Sequence, residues 1–130
     1  MNKQIESIVL ETIRQEEWNK LKTAKIMYQI DTNKWEKLLL KNAYVLMLNN
    51  ENEVFKELYE RYLNHYQFSN SLLKSAIKNK NNDIIEYLIK HHASIYYEQT
   101  FHQLPIVNDA VLTQNIWLLK KLDKMGENIH

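Results

Sequence analysis

The stretch "SLLKSAIKNKNNDIIEYLIKHHASI", residues 71–95, reads as two helices around a polar break. Leu72, Leu73, Ala76 and Ile77 share one face at helical spacing, and Ile84, Ile85, Leu88 and Ile89 do the same after "NKNN". Each helix therefore carries an apolar stripe. A lone hairpin has nothing to bury two stripes against, so the neighbours have to come from elsewhere in the chain.

They recur at a fixed distance. Ala43, Ala76 and Ala110 each sit in the first helix of a pair, 33 and 34 residues apart. Counting from Ala76, offsets 8, 9 and 12 give Ile84, Ile85 and Leu88, and from Ala110 they give Leu118, Leu119 and Leu122. Offset 16 gives His92 and then Gly126, and offset 19 gives Ile95 and then Ile129. The Ala43 segment falls into line with Val54, Phe55 and Leu58 once three residues are added between its helices. A repeated spacing of this length marks stacked units that share one core.

Composition agrees. One Gly and one Pro among 130 residues leave little for β-turns or phosphate-cradling loops, so the expectation is an all-α chain. The sequence predicts a long helical stretch over 3–22 and a short piece over 24–30. A capping box at Asn33 and Glu36 opens the next helix, and Asn50 with Glu53 opens another. "NHYQFSN" (64–70) and "SIYYEQTFHQ" (94–103) read as connectors. Pro105 suits a first helical turn, and Gly126 a C-cap.

The period and pattern resemble the ankyrin repeat. "NSLLKSA" (70–76) and "LPIVNDA" (104–110) stand where that family has T-P-L-H-x-A-A, and "DIIEYLIKHHA" (83–93) and "NIWLLKKLDKMGENI" (115–129) resemble its second helix. The resemblance covers roughly 35–130. It implies a small helical solenoid of about three degenerate helix-turn-helix repeats, at 33–68, 69–102 and 103–130. Residues 1–32 form an N-terminal helical cap or a diverged repeat, within a single domain 1–130. Departures are plain: the signature Thr and His are missing, His92 stands where the capping Gly would, and the inter-helix turn is one residue longer.

Function classes narrow on charge and composition. Seventeen Lys and Arg balance sixteen Asp and Glu, a net charge of +1, with ten of each sign in the first 65 residues. That balance argues against a nucleic-acid binder and against an acidic DNA mimic. The chain has no Cys, which removes disulfides and thiolate sites. Apolar runs of four or five residues are too short to span a membrane, and the charged start shows no signal peptide. The expectation is a cytoplasmic protein without cofactor. His91, His92 and His102 could be read as a metal site, but adjacent helical residues point apart and His92 fits a helix end, so no metal is expected. No acid, base and nucleophile form a recognisable set, so no enzyme is expected.

Aromatic residues carry the binding expectation. Trp18, Trp35 and Trp117 sit at apolar helical positions and read as core. Tyr66 and Phe68, and Tyr96, Tyr97, Phe101 and His102, fall in the two connectors. They either fill gaps between repeats or anchor a partner. The resemblance implies the second use, because ankyrin-like connectors project as fingers on the usual binding side. Lys74 and Lys78, with Lys80, make a basic stripe beside them, a solvated face or part of the same surface.

The function implied is non-catalytic binding that masks one protein partner, a toxin or a defence-system component. A bacterial immunity protein that neutralises a toxin is the leading form, since some are ankyrin-like. A phage-encoded, anti-CRISPR-like inhibitor is the alternative. A self-associating structural or assembly protein is the alternative of another class, with a homodimer through the C-terminal repeat and Trp117 on its apolar flank.

Overall fold

The computed structural model describes residues 2–64, 66–91 and 105–129, without the side chains of 66, 67, 105, 107, 108 and 125–129. All secondary structure among the described residues is helical. The chain divides into two compact units, Met1–Leu63 and Asn64–His130.

The first unit contains α1 (Lys3–Arg14), α2 (Trp18–Met27), α3 (Thr32–Leu48), α4 (Asn52–Leu58) and a π-helical turn, Tyr59–Leu63, that continues α4. Helix α1 packs on α2 and touches α4, and α3 packs on α4 and on the π-helical turn. Val9, Ile13, Leu21, Leu39, Leu46, Phe55, Leu58 and Leu63 are buried. Two ion pairs tie α1 to the second hairpin: Arg14 to Glu51 at 3.1 Å and Lys41 to Glu6 at 3.6 Å. Both pairs are partly exposed, so each is worth at most about 1 kcal/mol, and the buried aliphatic surface dominates.

The second unit contains α5 (Tyr66–Lys78), α6 (Asn82–His91), α7 (Pro105–Leu112) and α8 (Ile116–Ile129). Helices α5 and α6 pair, α7 and α8 pair, and α5 packs on α7. Its core holds Leu72, Leu73, Ala76, Ile77, Ile84, Ile85, Leu88, Ile106, Ala110 and Leu118. Ala43, Ala76 and Ala110, the residues that mark the period, are all fully buried. A methyl side chain at that position lets two helix backbones approach closely.

Among the described residues, one turn is built five times. Glu16, Gln29, Asn50, Lys80 and Gln114 take the left-handed conformation, with φ of 56°, 51°, 56°, 54° and 54°. At each, the left-handed residue donates its N–H to the carbonyl three back, and the next residue donates to the carbonyl five back, as Lys80 to Ile77 and Asn81 to Ala76. These bonds satisfy carbonyls that a helix end leaves open. Glycine is the usual occupant, and this chain uses none there. Four of the five turns join the two helices of a hairpin, including α1 to α2, so the first 27 residues are folded by the same device as the rest.

Several expected boundaries move. The stretch 3–22 is broken at 15–17 by the Glu16 turn. Helix α3 is capped by Asp31, whose side chain accepts from the Lys34 N–H at 2.9 Å, rather than by Asn33. Asn50 is the left-handed residue, and Glu51 is the N-cap of α4. Most of the supposed connector 64–70 is the first turn of α5, because Ser69 lies one turn before Leu72 and Leu73 and is fully buried with them. Gly126 lies inside α8, which runs on to Ile129.

Candidate protein-binding groove

Among the described residues, a concavity lies in the first unit, where α2, α3 and the π-helical turn meet. It has a volume of about 640 Å³. Trp35 and Leu39 of α3, both buried, form part of its lining, and Tyr62 borders it from the π-helical turn. Ile26 of α2 stands at its lip with 78% of its surface exposed. Lys22 and Lys25 of α2 and Glu36 of α3 supply charge around it.

Local structure explains each placement. The Gln29 turn reverses the chain between α2 and α3 and sets Ile26 near Trp35 across it. Helix α2 carries Trp18, Leu21, Ala24, Ile26 and Met27, more apolar residues than one face can hold. Only Leu21 and Ala24 are buried, and Met27 is 62% exposed. The surplus faces outward. Tyr62 is set by the π-helical turn, a widening of the helix that often accompanies functional sites. Its neighbour Tyr59 is buried instead, stacked on Phe55 with ring centres 6.3 Å apart.

Tyr62 is held from outside the groove. The Trp18 ring lies 6.4 Å from it, and the Arg61 guanidinium sits 5.0 Å from the Trp18 ring centre. Burial pushes the Tyr62 phenol above its ordinary pKa of 10.0, and Arg61 partly opposes that shift. At neutral pH the phenol therefore stays protonated and able to donate a hydrogen bond. An aromatic and aliphatic surface with a phenolic donor and two ammonium groups beside it can hold an apolar side chain flanked by carboxylates.

Of the residues expected to bind a partner, the side chains of Phe68, Lys74 and Lys78 are among the described residues. Lys74 is half-buried and Lys78 exposed, one turn apart on α5. Phe68 is half-buried and lies six residues before Lys74, about 120° away around the helix. Tyr66 opens α5, with its side chain outside the described residues, as Tyr96, Tyr97, Phe101 and His102 are entirely. Of the three tryptophans only Trp35 is core; Trp18 is half-buried, as is Trp117, which has the Lys121 ammonium 5.7 Å from its ring centre.

Among the described residues, no three His, Asp or Glu side chains come together in a way that could hold a metal ion. No described helix is long and apolar enough to cross a membrane. No protein-family model matches the chain, and no curated protein or solved structure is significantly similar to it.

Proposed function

We propose that this chain is a protein-binding module, a short series of ankyrin-like helical hairpins that masks a single partner protein. The groove between α2 and α3 is the observation that supports it most. A buried Trp35 beside an Ile26 left 78% exposed is the arrangement of an apolar anchor site with an unsatisfied lip. The partner it suits presents one or two large apolar side chains with acidic neighbours, which Lys22 and Lys25 would meet.

Toxin neutralisation is the form of this reading we favour, and inhibition of a defence system is the alternative. Both act by occupancy, and both require a one-to-one complex. Tyr96, Tyr97, Phe101 and His102, expected from the sequence to anchor a partner, are proposed as a separate contact segment.

The test is co-expression with the protein encoded beside this chain in its source genome, scored for rescue of growth and for a stable complex. Rescue by the wild-type chain and its loss with Ile26→Asp, at unchanged helicity, is the expected result. A chain that neither rescues growth nor forms a complex overturns toxin neutralisation. Undiminished rescue by Ile26→Asp overturns the groove as the site.

A further inference from the structure

Half-buried lysines among the described residues have partners, with one exception. Lys25, Lys56, Lys74 and Lys121 are half-buried. Lys56 pairs with Glu53 at 3.4 Å, Lys121 pairs with Glu86 at 3.5 Å, and Lys74 has an interaction of its own. The Lys25 ammonium has no hydrogen bond or ion pair among the described residues. Drawing a charge partly out of water without a partner costs free energy that an anion beside it would recover. Lys22, one turn earlier on α2, is exposed and likewise unpaired among the described residues.

Both lysines line the α2–α3 groove. Spaced i and i+3, they share a face of α2. Glu36 borders the same groove from α3, yet it pairs with neither of them. Two cations on one wall therefore line a cavity without a carboxylate to meet them. The rest of the groove is different in kind: Ile30, Trp35 and Leu39 line it and are buried. Thr32 and Leu39 both line it from α3, seven residues apart, so that wall runs for about 10 Å at 1.5 Å per residue. The groove volume of about 640 Å³ falls among those of small-molecule sites, about 300–1,000 Å³.

An apolar floor about 10 Å long beside two unpaired ammonium groups selects one ligand chemistry. A small hydrophilic anion would leave Trp35 and Leu39 uncovered. An alkyl amine or an uncharged chain would leave Lys25 without its anion. We infer that the groove binds a medium-chain carboxylic acid as its anion, with the acyl chain along Trp35 and Leu39 and the carboxylate on Lys22 and Lys25. An extended chain of about eight carbons matches the α3 wall. Glu36 repels the head group and so directs it to the α2 side. Tyr62, which borders the groove, adds a phenolic donor to the lining. This binding involves no partner protein, so it stands or falls separately from the masking function.

The test uses the whole chain and two probes, octanoate and octylammonium, equal in chain length, opposite in charge and each kept below its micelle concentration. In amide and methyl NMR titrations octanoate is expected to bind saturably and one-to-one, with a dissociation constant on the order of 0.1–1 mM. The resonances of Ile26, Trp35 and Leu39 should move most. Octylammonium should bind at least tenfold more weakly. The double variant Lys22→Gln, Lys25→Gln is expected to keep its helicity, to lose at least tenfold in octanoate affinity and to bind octylammonium no worse than the wild type. Should the variant lose helicity, the contrast between the two probes on the wild type decides alone. Octanoate that never saturates overturns the inference. So do equal affinities for the two probes, shifts centred away from the groove, or a folded double variant with undiminished octanoate affinity.

Discussion

Asn115 donates its side-chain amide to the side-chain oxygen of Asn82 at 2.7 Å, across 33 residues of sequence. The same Asn115 accepts the Leu118 N–H at 3.0 Å and so caps α8. One residue both starts a helix and fastens its hairpin to the one before. Asn115→Ala removes both, and the expected loss is about 2 kcal/mol, roughly 1 for the cap and roughly 1 for the tie. Asn115→Ser keeps a capping oxygen and should recover about half. Urea unfolding of the two variants checks this: equal losses would show that the cap carries nothing, and an Asn115→Ser variant as stable as the wild type would show that the tie carries nothing.

The left-handed turns predict a gain. A side chain at positive φ costs on the order of 1–2 kcal/mol that glycine does not incur, while glycine adds about 0.4–1 kcal/mol of unfolded-state freedom. Lys80 and Gln114 are exposed, so their side chains sacrifice no core packing. Lys80→Gly and Gln114→Gly should each stabilise the fold by up to about 1 kcal/mol. Gln15→Gly, at φ −84°, should destabilise it. Thermal melts of the three variants decide the matter through the sign of each shift.

The extent to which this fold was legible depends on what each position demands. The helical hairpins could be read because Ala43, Ala76 and Ala110, and the aliphatic residues around them, must be apolar to be buried, and burial repeats with the period. The turns could not be read from glycine, because Glu, Gln, Asn and Lys fill a position that is defined by backbone geometry. Ser69 hid a helical turn, since a small hydroxyl can occupy a core position once its polar group has a partner. The groove was the least legible part. Which of α2's surplus apolar residues end up outside depends on how α3 packs, and the periodicity of α2 does not record that.

Asn42 predicts a second gain. It sits on α3 among core residues, 4% exposed, and its side-chain nitrogen finds no acceptor among the described residues. A buried donor left unpaired costs about 1–3 kcal/mol. Asn42→Leu, of similar size, should raise the urea midpoint, and a lowered midpoint would show that the amide is better served than its surroundings indicate.

Tyr62 predicts the alkaline behaviour. Burial raises its folded-state pKa above the ordinary 10.0, which is also where the phenol ionises in the unfolded chain. The contribution of the protonated phenol is therefore fully present below about pH 10 and is lost as pH rises through the folded value. Tyr62→Phe has no phenol to ionise. Its stability should fall less steeply than the wild type's above about pH 10. Matched urea titrations on either side of that pH measure the difference, and parallel slopes would contradict it.

The most direct test of the central claim is a calorimetric titration of the protein encoded beside this chain into the wild type and into Ile26→Asp. The account predicts a one-to-one complex with the wild type and at least a hundredfold weaker binding to the variant, equivalent to about 2.7 kcal/mol. Equal affinity for the two proteins would contradict it.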